Sequence, residues 1–152
     1  MANLIIEGDH DYGEELVWDF AMWLCNRLLP DVGYEIVVTF RRFSKKHDGD
    51  MQGYHINFDN DSHEITINNE LDLQPMMIAL AHEMVHVQQY MKGMIKEDGN
   101  DTYWRGKLIP DDTYYFDRPW EKHARRNELR VYKEYLRTLT QTIHWSLCPE
   151  IW

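Results

Sequence analysis

The chain has 152 residues, 43% of them hydrophobic and 13% aromatic, enough to build a globular core and too apolar for a disordered segment. Its formal net charge of −10, with only short basic clusters (Arg41, Arg42, Lys45, Lys46 and the pair Arg125, Arg126), argues against a nucleic-acid platform. The two cysteines, Cys25 and Cys148, are far apart and lack CxxC partners, which excludes a disulfide framework and a zinc ribbon.

At this length a single domain over residues 1–152 is expected. "MANLIIEGDHDYG" has no basic start or long apolar stretch, and no run of eighteen apolar residues occurs anywhere. Neither a secretion signal nor a membrane span is expected, and a reducing cytoplasm is the expected location. "ANLIIEG" reads as a short strand. "YGEELVWDFAMWLCNRLLP" repeats Val17, Phe20, Ala21, Leu24 and Leu28 at helical spacing and is stopped by Pro30. Cys25, inside this run, reads as a small buried hydrophobe.

The period then changes to two. "YEIVVTFRRF" alternates Ile36, Val38 and Phe40; "GYHINFD" alternates Tyr54, Ile56 and Phe58; "HEITINN" offers Ile65 and Ile67. The polar turn "DNDS" makes the last two an antiparallel hairpin. The next helix is predicted to begin near Asp72, to tolerate Pro75 in its first turn and to end at Gly93. Met77, Leu80, Met84, Val87 and Met91 form its core stripe, with His82, His86 and Gln89 pointing roughly away. Residues 94–117 read as a polar, aromatic loop with Asp98, Asp101, Asp111 and Asp112. "RPWEKHARRNELRVYKEYLRTL" reads as a last helix with Ala124, Val131, Tyr135 and Leu139 inward, and the tail "QTIHWSLCPEIW", with a free thiol expected at Cys148, is apolar enough to pack back on the body.

Within "LAHEMVHVQQY", His82 and His86 lie four apart, one above the other on a helix at a separation of about 6 Å, so both imidazoles reach one point. Such a pair suits Zn2+, which at a catalytic site takes three protein ligands and keeps a fourth position for water. Glu83, about 100° round from His82, can stand beside that position and take a proton from the water. Three residues compete for the third ligand: Glu121, His123 and Glu128. Glu121 and Glu128 share a face but lie about 10.5 Å apart along the axis, so only one can bind, and His123 faces another way. Glu121 is preferred because Ala124, three residues on, lets this helix approach closely. Glu128 then suits an acceptor that orients a ligand histidine, a task Asn127 or the loop aspartates could also perform. Tyr114 or Tyr115 could supply a phenol to a developing oxyanion.

HExxH at 82–86, with the "PWEKHA" stretch, resembles the zincin metallopeptidases, and the order of elements is similar to that of the short gluzincins. The metzincin pattern fails, because position 92 is Lys92. A SprT-like arrangement, with histidine as third ligand, is the alternative branch. The gluzincin resemblance implies zinc-dependent hydrolysis of a protein or peptide substrate, with ligands His82, His86 and Glu121 and Glu83 as general base. It also implies an α+β, zincin-like domain: an N-terminal helix, a small, mainly antiparallel sheet of three to four strands, the HExxH helix and a C-terminal helix bearing the third ligand. The strand before the motif helix, with His63, Ile65 and Ile67, would be the edge on which an extended peptide adds. A noncatalytic zinc module and a hydrolase of nonpeptide bonds are the competing readings.

Overall fold

The computed structural model describes residues 2–147, with side chains as far as Gln141. It is α+β, as expected. A strand, β1 (Ala2–Gly8), leads into helix α1 (Glu14–Leu28) and strand β2 (Tyr34–Arg41). After a single turn, α2 (Lys45–Asp48), come the hairpin β3 (Gly53–Asp59) and β4 (Ser62–Asn68) and the HExxH helix α3 (Leu73–Met91). Three short strands, β5 (Ile95–Asp98), β6 (Asp101–Trp104) and β7 (Lys107–Ile109), precede a 3₁₀ turn at Tyr115–Asp117 and helix α4 (Pro119–Leu147).

Apolar periodicity explains the core. Val17, Phe20, Ala21, Leu24 and Leu28 of α1 are buried, as are Ile36, Val38 and Phe40 of β2 and Ile65 and Ile67 of β4. Cys25 is buried among them, and burial pushes its thiol up to about 11, so it behaves as a small hydrophobe. Helix α3 is covered on nearly all sides: Met77, Leu80, Met84 and Val87 of the expected stripe are buried and Met91 is half-buried, and Met76, Ala79, Ala81 and Val85 are buried as well. It lies against α1, β3, β4 and α4 at once, which leaves little of its surface for solvent. Its C-terminus is closed by Gly93 at φ 69, which allows the Met94 amide to donate back to the Gln89 carbonyl.

The four-stranded sheet has the order β1-β2-β4-β3. Within it β1–β2 and β2–β4 are parallel and only β3–β4 is antiparallel, so this sheet is mixed; the antiparallel character expected of the protein resides in the hairpin and in the separate β5-β6-β7 sheet. The expected edge strand is corrected here. Residues 63–69 are flanked by β2 on one side and β3 on the other, so His63, Ile65 and Ile67 are interior; the sheet's edges are β1 and β3, and β3 is the edge beside the cleft. The hairpin folds β3 onto the outer side of β4, while the connection from β1 through α1 brings β2 to its inner side.

The alternating set on β3 also points unexpectedly. Ile56 and Phe58 are 42% and 64% exposed, because His55 is paired with Ile65 and directly opposed residues share a face. The inward face of β3 therefore carries His55. The segment read as a loop, 94–117, contains the second sheet; its side chains are mostly exposed, so no apolar alternation marks it, and only the turns at Gly99 and at Arg105–Gly106 signal hairpins. Helix α4 runs beyond the expected stretch to Leu147. The packing of the tail, and the state of Cys148, fall outside the described side chains.

Candidate active site

Local sequence and long-range packing together build one cluster. His82 and His86 project from consecutive turns of α3 toward α4, whose first turn supplies Glu121; Ala124, fully buried in the interface, leaves room for the approach. His82 Nε2 lies 3.1 Å from Glu121 Oε2, His86 Nε2 lies 3.1 Å from Glu121 Oε1, and the two Nε2 atoms are 3.2 Å apart. Ligands about 2.1 Å from a tetrahedral ion stand roughly 3.4 Å from one another, so the three residues fit a small divalent cation.

The hydrogen bonds behind the imidazoles decide what they offer. Glu128 Oε2 sits 2.6 Å from His82 Nδ1 and, as a carboxylate, can only accept, so Nδ1 carries the proton. Gln89 is fully buried and satisfied on both ends. Its Nε2 donates to the Trp120 carbonyl at 2.9 Å and to His123 Nδ1 at 2.8 Å, which orients the amide and leaves Oε1 to accept from His86 Nδ1 at 2.8 Å. In their neutral forms both histidines therefore turn an Nε2 lone pair toward the Glu121 carboxylate. Two lone pairs and an anion converging on one point form a donor set for a metal ion.

Without a metal the same geometry attracts protons. Burial disfavours charge on His82, but the Glu121 and Glu128 carboxylates outweigh it and raise its pKa to about 10. His86 is raised in the same sense, burial again opposing and Glu121 prevailing. Burial also opposes charge on Glu121, yet the two histidines hold it well below the usual carboxylate range. Glu83 is buried and pushed upward by desolvation.

A cleft of about 970 Å³ opens beside this cluster, lined among others by Gly53, His55, Glu83, Tyr115, Phe116 and Arg125. Gly53 belongs to the edge strand. A Cβ there would meet Ile67 Cδ1 at 2.8 Å, the Thr66 carbonyl at 3.0 Å and Glu83 Cγ at 3.5 Å, so glycine lets the strand pass over Glu83. His55 is held by a relay in which His63 Nε2 meets the Asn60 carbonyl at 2.9 Å and His63 Nδ1 meets His55 Nε2 at 2.8 Å.

The structure brings together His82, Glu83, His86, Glu121 and Glu128, and places Tyr115, but not Tyr114, in the cleft. Tyr114 and Tyr115 are 64% and 47% exposed, but only Tyr115 lines the cleft, where partial burial and the Glu121 carboxylate raise its phenol. His123 is set apart from the cluster: its Nδ1 is occupied by Gln89 and its ring lies against Trp104. Asn127 instead turns back to the His123 carbonyl, and the four loop aspartates are exposed. The sequence puts Gln89 on the histidine flank but assigns it no task. The signal available was its position three residues after His86, on the same helical face.

A buried His-His-Glu cluster against a carboxylate, at the mouth of a cleft edged by a free strand, defines a candidate metallopeptidase centre. The chain belongs to the M91 peptidase family, described as effector protein, whose family model matches residues 11–115. That match spans the HExxH helix and Tyr115 and ends before Glu121 and Glu128. No curated protein and no solved structure matches the chain. Among the described residues no helix is long and apolar enough to cross a membrane.

Proposed function

We propose that this protein is a zinc metallopeptidase of gluzincin type, acting as a single domain, with His82, His86 and Glu121 as ligands and Glu83 as general base. The observation that carries the reading is the convergence of two Nε2 lone pairs, each fixed by an acceptor on its Nδ1–H, with a buried carboxylate. A SprT-like assignment is less well supported, since His123 is engaged elsewhere. A purely structural metal site would need neither Glu83 nor the cleft.

Zinc, when bound, supplies Lewis acidity that acidifies water and polarises a carbonyl. The residues of the chain do the remainder. An extended peptide pairs with the free edge of β3, which presents unpaired backbone groups along the cleft. Glu83, made more basic by burial, accepts the proton of the attacking water and delivers it to the leaving amine. Tyr115, whose phenol is protonated at neutral pH, donates a hydrogen bond to the developing oxyanion. Glu128 and Gln89 hold the imidazole rings in position.

The test is a peptide-library digest with elemental analysis in parallel. The native chain is expected to carry one zinc and to cleave in a chelator-sensitive way, and Glu83→Gln to keep the zinc and lose cleavage. Equal cleavage by Glu83→Gln would overturn the mechanism. Zinc retention by Glu121→Ala, with loss in His123→Ala, would move the third ligand.

A further inference from the structure

Helix α4 leaves the active site carrying a second feature. Arg126, Arg130, Lys133 and Arg137 recur at spacings of four, three and four, which puts them within an arc of about 60° along roughly 16 Å of helix. All four are exposed, and they account for four of the 16 lysines and arginines of a chain with net charge −10. Leu129 and Leu136 border the row on one side, 43% and 37% exposed. A depression of about 340 Å³ is lined by Arg126, Leu129, Arg130, Lys133 and Arg137.

Intrahelical ion pairing would neutralise such a row, yet both carboxylates of this stretch are committed elsewhere. Glu128 is turned to His82, and Glu134 is bound by Arg27 of α1 at 2.8 Å. Arg130 donates to the Asn127 side chain, an uncharged partner. Among the described residues none of the four cations has an ion pair.

From this geometry we infer that the outward face of α4 between Arg126 and Arg137 is a docking surface for an acidic segment of a protein partner. Its occupant presents carboxylates three to four residues apart and an apolar side chain toward Leu129 and Leu136. Three of the four cations are arginines, whose planar forks take carboxylates two oxygens at a time. A lipid surface fits less well. An interfacial helix needs a free apolar face to sink into the bilayer, whereas that of α4, with Ala124, Val131, Tyr132 and Tyr135, is spent on the core. Docking requires neither metal nor turnover, so its failure and the failure of the peptidase reading are separate results.

The test is titration of the isotope-labelled, zinc-supplemented full chain, followed by amide chemical shifts. The probe is a helical peptide with glutamates at matching spacings and leucines between them; its glutamine counterpart is the control. Shifts confined to residues 126–137, weakened by salt, absent with the glutamine peptide and reduced about tenfold or more in affinity by Arg130→Glu with Lys133→Glu support the surface. Arg130→Gln with Lys133→Gln, which keeps helix propensity, serves as the milder variant and should lose affinity to a smaller extent. Shifts centred on the cleft, or affinity unchanged in both variants, would overturn it. So would binding to phosphatidylserine vesicles without binding to the peptide, or self-association that the variants abolish.

Discussion

Glu128 makes no contact with the proposed metal position, so its effect on metal affinity isolates the orienting role. In Glu128→Gln the amide oxygen still accepts from His82 Nδ1–H and only the charge is removed. A hydrogen bond to a charged group contributes about 1.5–3 kcal/mol and a neutral one about 0.5–1.5, a difference of roughly 1–1.5 kcal/mol. The Glu128 side chain is 26% exposed, so solvent screening places the change near the lower end. About 1 kcal/mol corresponds to a loss of roughly fivefold in zinc affinity. Glu128→Ala leaves the Nδ1–H without its partner and should cost about 100-fold, the upper range for groups that orient a metal ligand. Glu121→Ala removes a ligand and should cost more than either. Competition with a chromophoric chelator reads all three. Native affinity in Glu128→Ala, or a Glu128→Gln loss as large as that of Glu121→Ala, would refute the assignment of Glu128 as an orienting group.

Gly53→Ala should reduce cleavage by about tenfold or more while zinc content stays native, because the added methyl collides with Ile67 and the Thr66 carbonyl and lifts the edge strand off Glu83; steady-state kinetics beside elemental analysis check this. Ala124→Leu should destabilise the protein by about 1–3 kcal/mol in urea denaturation, since a fully buried alanine at the α3–α4 contact has no room for three more carbons. The metal-free protein should lose stability as pH rises from 6.5 toward 10. His82 has its pKa raised to about 10, so its contribution is complete below the unfolded value of 6.5 and disappears as the folded form deprotonates. Thermal unfolding in chelator across this range measures it, and a stability that rises instead would contradict the His82–Glu121–Glu128 arrangement.

What the sequence determined by itself is what short-range geometry dictates. Two histidines four apart on a helix must share a flank, Glu83 must stand beside them, Pro30 and Gly93 must close their helices, and alternating Ile36, Val38 and Phe40 must share a face. These relations hold within one or two turns or a single strand, and each appears in the structure. Among Glu121, His123 and Glu128 the sequence favours Glu121 for meeting the histidines, but the outcome depends on where α4 crosses α3 and on its rotation about its axis. The tertiary structure turns Glu121 to both Nε2 atoms, Glu128 to the Nδ1 of His82, and His123 to Gln89. The zincin resemblance puts the substrate edge on residues 63–69, but strand order is set by which hydrogen-bonding side each neighbour takes, and β2 and β3 occupy both sides of β4. The outward turn of Ile56 and Phe58 has the same origin: a period of two defines two faces, and only pairing with a neighbouring strand decides which of them meets the core.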